Sequence, residues 1–182
     1  MKKPFQHRQH IGESGIFAAT GQNTGTLQLI EEILSGGSLL RIRVTGRSMT
    51  PLLQGREFLT LRQVACSALK KGDLILFSSN GRLILHRIIC KFRSGDGSVI
   101  LRTQGDAMTS DDGPVHQEKV LGKVILIEKS CSKGRVIISD MESAGWVILN
   151  SLIATAIPIR MRMRRILLNI FMHIPLLQTG NR

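Results

Sequence analysis

Tyrosine is absent from this chain of 182 residues, and aromatic residues make up only 4% of it. That shortage argues against a surface that stacks bases or sugars on rings, and it suits a small core packed from Leu, Ile and Val. Cysteine is scarce too. Cys66, Cys90 and Cys131 lack the spacing of metal ligands, and an odd number leaves one thiol outside any disulfide scheme. A reducing compartment or plain buried thiols fit that count, and neither a metal nor another cofactor is expected. Acidic residues number 13 against 25 Lys and Arg, and none follows Glu142. Long apolar runs are missing as well. The start, Met1-Lys2-Lys3, continues polar with Glu13 where a signal core would lie, so no secretory signal or N-terminal anchor is visible. Trp146 to Ile159 and Ile166 to Leu177 each fall short of the roughly 18–20 residues that span a bilayer as a helix. Arg160, Arg162, Arg164 and Arg165 stand between them and make a fused span costly.

The net charge of +12 has two readings. Nucleic acid is the general partner of so basic a protein, but no helix-turn-helix, zinc finger or aromatic-basic strand pattern is present, so no specific nucleic acid is expected. An anionic membrane surface accounts for the same charge and also for the apolar C-terminal stretch, because arginine beside Leu, Ile, Met and Phe is an interfacial composition. The expectation is a peripheral or monotopic attachment through residues 146–177, with the side of the membrane left open; a helical pair packed on the domain is the plainer alternative.

Three segments follow along the chain. Residues 1–25 are polar and expected to be a flexible N-terminal segment. Residues 26–129 hold the candidate catalytic domain, which opens with a short amphipathic helix: Leu27, Ile30, Ile33 and Leu34 share one face opposite Glu31 and Glu32, and Gly36-Gly37 ends the pattern. Short β-type runs follow at Leu39–Val44, Phe58–Val64, Leu74–Phe77, Leu83–Cys90, Ser98–Thr103 and Val120–Ile127, separated by turn signals. Asn80-Gly81 predicts a hairpin turn, since both residues tolerate positive φ. Residues 130–182 read as a C-terminal helical segment: Ser139-Asp140-Met141-Glu142 has capping-box spacing, Pro158 interrupts the first helix near its end, and a second apolar helix follows.

The chemistry lies in three places. Thr45-Gly46-Arg47-Ser48-Met49-Thr50-Pro51 presents Ser48 on a sharp bend just after a strand. His86 is expected at or near a strand end after Leu83-Ile84-Leu85, and His7, His10, His116 and His173 lack such context. Gly105-Asp106-Ala107-Met108-Thr109-Ser110-Asp111-Asp112 offers carboxylates. A serine hydroxyl needs a base to take its proton and a third group to hold that base, and these segments supply one candidate for each role. Standing alone, Ser48 would read as a turn serine, His86 as a core histidine, and Asp106 as a turn residue.

In this order, Gly-x-Ser-Met-x-Pro, Leu69-Lys70-Lys71-Gly72-Asp73-Leu74-Ile75-Leu76-Phe77, His86-Arg87, Gly105-Asp106 and Asp111-Asp112 resemble the type I signal peptidase family, over roughly Ser38 to Lys129. The archaeal and endoplasmic-reticulum branch, with histidine as base, is the nearer likeness; the wider clan includes self-cleaving repressors. The resemblance implies a mainly β, coiled-sheet fold and a serine endopeptidase that accepts an extended peptide with small residues before the cleaved bond. Ser48 would be the nucleophile and His86 the base. Asp106 and Asp112 would divide two roles, orienting the imidazole and stabilising the site loop, with Asp112 favoured as orienter and Asp111 least favoured. The Ser48 backbone N–H would be one oxyanion donor; many relatives add a hydroxyl two residues before the nucleophile, where Gly46 stands here. Gly55-Arg56 replaces a common Gly-Asp. The rival reading is a binding or self-cleaving module of the same clan, with Ala18-Ala19 or Ala154-Thr155-Ala156 as scissile segments.

Overall fold

The computed structural model describes residues 17–18, 24–131 and 134–173. Among the described residues nine strands form one sheet: β1 Phe17–Ala18, β2 Leu40–Arg43, β3 Phe58–Arg62, β4 Leu74–Ser79, β5 Arg82–Arg93, β6 Val99–Gln104, β7 Pro114–His116, β8 Val120–Ser130 and β9 Val136–Asp140. Their order is β1-β2-β3-β8-β4-β5-β6-β7, with β9 also on β8, and every pairing except β1 with β2 is antiparallel. Flanking it among the same residues are α1 Thr24–Ser35 and α2 Ala144–His173.

Alternation along the strands gives this sheet two apolar faces. On β4, Leu74 and Leu76 enter a cluster with Leu40, Ile42, Leu59, Leu61 and Val124, which α1 closes with Ile30 and Leu34. Ile75 and Phe77 point the other way, into a smaller cluster with Leu69, Ile88, Val99, Leu101 and Val115. Apart from Phe77, aliphatic side chains and methionine fill both, which is how a fold with so few rings reaches near-zero exposure at its core positions.

The turn between β4 and β5 forms at Asn80-Gly81, both with positive φ, between the paired Ser79 and Arg82. Elsewhere the structure differs from the sequence expectation. Part of the N-terminal segment joins the sheet, since Phe17 and Ala18 pair with Ile42 and Arg43. β5 is longer than Leu83–Cys90, because β4 and β6 pair it in succession from Arg82 to Arg93. His86 therefore sits within a strand, not at its end.

β strand also extends past residue 130. β8 outlasts β4, and Val136–Asp140 takes the vacant edge from Leu126 to Ser130. Ser139 and Asp140 are thus paired in β9 and do not cap a helix; α2 starts four residues later, where Ser143 Oγ donates to Asp140 O and the Val147 N–H donates to Ser143 O. Pro158 does not divide the segment in two. α2 is a single 30-residue helix with this proline inside it. Its N-terminal half is anchored by buried Asn150, Ala154 and Ile157, which share one face, and by Trp146 against the larger cluster. That packing offsets the backbone hydrogen bond that proline cannot make.

Candidate active site

Ser48 lies in the loop after β2, half-buried, and the residues beside it hold that loop in place. Met49 and Leu53 are buried in the larger cluster, and the Leu53 N–H donates to Met49 O. Thr50 Oγ1 donates to Leu53 O at 3.2 Å. The far end of the loop closes on a carboxylate. Glu57 accepts the backbone N–H groups of Gln54, Gly55 and Arg56 at 2.9–3.0 Å. Burial pushes the Glu57 carboxyl upward, but these backbone donors outweigh it and hold the group below the usual glutamate value. Gly55, at φ +90°, lets the loop fold onto the Thr45 and Gly46 carbonyls; a side chain there would come within 3.1 and 3.2 Å of them.

His86 is 6% exposed and faces the smaller cluster, with Phe77 edge-on at a centroid distance of 6.5 Å. Its Nδ1 lies 2.6 Å from Asp112 Oδ2. With Asp112 ionised, Nδ1 carries the proton and Nε2 is left as the acceptor. Thr103 fastens the carboxylate twice: its Oγ1 donates to Asp112 Oδ2 at 2.7 Å, and its carbonyl accepts the Asp112 N–H at 3.0 Å. Thr103 escaped the sequence reading, although a signal was present. It is the polar third member of the buried alternating series Val99, Leu101, Thr103.

Gly105 brings the serine and the histidine together. A Cβ at that position would lie 2.6 Å from Ser48 O, 2.9 Å from His86 Nε2 and 2.7 Å from Met108 Cγ. The Ser48 backbone and Nε2 therefore flank one glycine, and only a residue without a side chain fits between them. The Ala107 N–H donates to Ser48 O at 2.9 Å, which ties the two loops. Among the described residues, neither the Ser48 amide nor its hydroxyl takes a hydrogen-bond partner. The amide is therefore open to an acceptor from outside, and the hydroxyl is not engaged with the ring.

The four residues singled out from sequence thus fall into two groups. Ser48, His86 and Asp112 are gathered on one side. Asp106 binds not the imidazole but Arg87, whose Nε and Nη2 donate to its two oxygens at 2.8 and 2.7 Å. Strand geometry explains the division: neighbours on β5 point to opposite faces, so His86 and Arg87 each claim one aspartate. Arg87 is fully buried, and its Nη1 also donates to Gly72 O at 3.1 Å and to Asn150 Oδ1 at 2.7 Å. Asp111 pairs with Arg102 at 3.1 Å, out on the surface. His116 is exposed on β7; His7 and His10 lie outside the described residues. Of the scissile segments weighed from sequence, Ala154-Thr155-Ala156 is helical with Ala154 buried, Ala18 is paired in β1, and Ala19 lies outside the described residues.

Among the described residues no group of His, Cys, Asp and Glu is placed to hold a metal. No protein-family model matches the chain, and no curated protein is significantly similar to it.

Proposed function

We propose that the chain is a serine endopeptidase of the signal-peptidase type, with Ser48 as nucleophile, His86 as general base and Asp112 as the group that orients the ring. The observation that carries this reading is the 2.6 Å contact of His86 Nδ1 with Asp112, which leaves Nε2 against Gly105 beside Ser48. In the reaction, Nε2 takes the Ser48 hydroxyl proton as Oγ attacks the peptide carbonyl. The carbonyl oxygen becomes an oxyanion toward the Ser48 amide. Nε2 then gives its proton to the leaving amine, an acyl-enzyme remains, and a water activated by the same ring releases it. Asp112, 2.6 Å from Nδ1, stabilises the transient imidazolium.

The test is labelling of the full chain by a fluorophosphonate or acylating peptide probe, read by intact mass. Wild type is expected to gain one adduct, and Ser48→Ala none. Equal labelling of both proteins overturns Ser48 as nucleophile. Mass loss on incubation of the protein alone would instead favour the self-cleaving member of the same clan.

The reading extends to where the enzyme works. Ile148, Leu152, Ile159, Met163 and Ile166 are exposed along one stripe of α2, opposite the face that buries Asn150, Ala154 and Ile157. Arg160 and Arg162 are exposed on the same helix, and no acidic residue follows it. Among the described residues no helix is long and apolar enough to cross a membrane. This composition suits in-plane attachment to anionic lipid, with substrates met at that surface. Flotation of the full chain with vesicles containing phosphatidylglycerol, and not with phosphatidylcholine alone, is the expected result. Indifference to both lipids overturns the attachment without touching the peptidase reading.

A further inference from the structure

We infer that α2 is a positioning element of the catalytic site, acting through Arg160 and Asn150 on the loop 105–108; this rests on the peptidase reading of Ser48, His86 and Asp112. Arg160 Nη2 donates to the Asp106 carbonyl at 2.8 Å and reaches the Met108 carbonyl at 3.4 Å, so it grips the loop's backbone at two points. The same loop presses Gly105 against Nε2 and Ser48 O, and gives the Ala107 N–H to Ser48 O. Asn150, 5% exposed one face away, accepts from Arg87 Nη1, and Arg87 holds the Asp106 side chain. Asp106 is thus secured from α2 twice, at its backbone by Arg160 and at its carboxylate through Arg87 and Asn150.

The helix stands on the sheet without slack. Gly72, at φ +99°, touches it so closely that a Cβ would lie 2.7 Å from the Asn150 carbonyl carbon. A displacement of α2 therefore reaches the loop through hydrogen bonds on a path that contains no catalytic residue. Arg160 and Asn150 touch neither the hydroxyl nor the ring. Their effect is on the distance between the two.

Arg160 is exposed, so its substitution leaves the core intact and permits a clean test in the full chain. Amide hydrogen exchange is expected to quicken at Ala107 by about tenfold in Arg160→Gln, the scale of one hydrogen bond, while Leu101 in β6 is unchanged. Arg160→Lys, which keeps a charged donor, is expected to restore slow exchange. Probe labelling of Ser48 should fall in parallel with an unchanged pH midpoint, since the His86–Asp112 contact is untouched. Unaltered exchange at Ala107 in Arg160→Gln, or equal quickening at Leu101, overturns the inference. Should Ala107 respond as expected while wild type never reacts with the probe, the loop clamp stands and the peptidase reading falls.

Discussion

At the scale of single residues, glycines and one carboxylate carry most of the site's geometry. Gly105→Ala would put a methyl within 3 Å of both Ser48 O and Nε2, so it is expected to lower probe labelling by about a hundredfold, the cost of a misplaced reacting pair. A far-UV spectrum like wild type would show that the sheet persists. Gly46 is the opposite case. A Cβ there would meet nothing within 4 Å, so Gly46→Ser would add a hydroxyl two residues before Ser48 without a clash. It is expected to speed labelling by roughly tenfold or more, as a second oxyanion donor should. Glu57 bears on acid stability. Its folded carboxyl sits below the ordinary value of 4.5, so its contribution is present above that pH and is lost as the pH falls through the folded value. Urea titration of wild type and Glu57→Gln should differ by about 2 kcal/mol near neutrality and converge in strong acid.

Among the elements, β5 and α2 decide most. β5 was legible from Leu83-Ile84-Leu85 and the Asn80-Gly81 turn, yet its full length depends on β4 and β6 both pairing along it, which no local pattern records. The continuity of α2 is hidden from the sequence for a related reason. Pro158 and the arginine cluster each look like a break, but buried Ala154 and Ile157, with the Arg160 tether, hold a continuous helix across them. The local penalty remains in the structure. Pro158→Ala adds back a backbone donor on an exposed position, and is expected to stabilise the chain by about 1–3 kcal/mol in urea unfolding, with slower amide exchange around residue 158.

For the molecule as a whole, one sheet with an apolar cluster on each face carries both the site and the helix that braces it. Gly72 is where helix and sheet meet. Gly72→Ala is expected to destabilise the fold by at least about 2 kcal/mol, because the new methyl meets backbone and φ +99° strains any L side chain. Proteolysis should then release α2 before the sheet is cut.

The sequence alone determined the mainly β character, the hairpin at Asn80-Gly81, the short helix near Leu27 to Leu34, and the choice of Ser48, His86 and the aspartates as the residues to watch. Those are local matters of period, turn chemistry and residue type. Tertiary structure decided which aspartate meets which partner, because the alternation of His86 and Arg87 across the sheet has meaning only once the loop from Gly105 to Asp112 is folded beside it. It also recruited Thr103, Asn150 and Arg160. Thr103 shows in the sequence only as a polar residue in an apolar alternation, without its partner, and Asn150 and Arg160 carry no signal of their own; their hydrogen-bond partners, more than 50 residues away in the chain, become visible only when packing brings them within 3 Å.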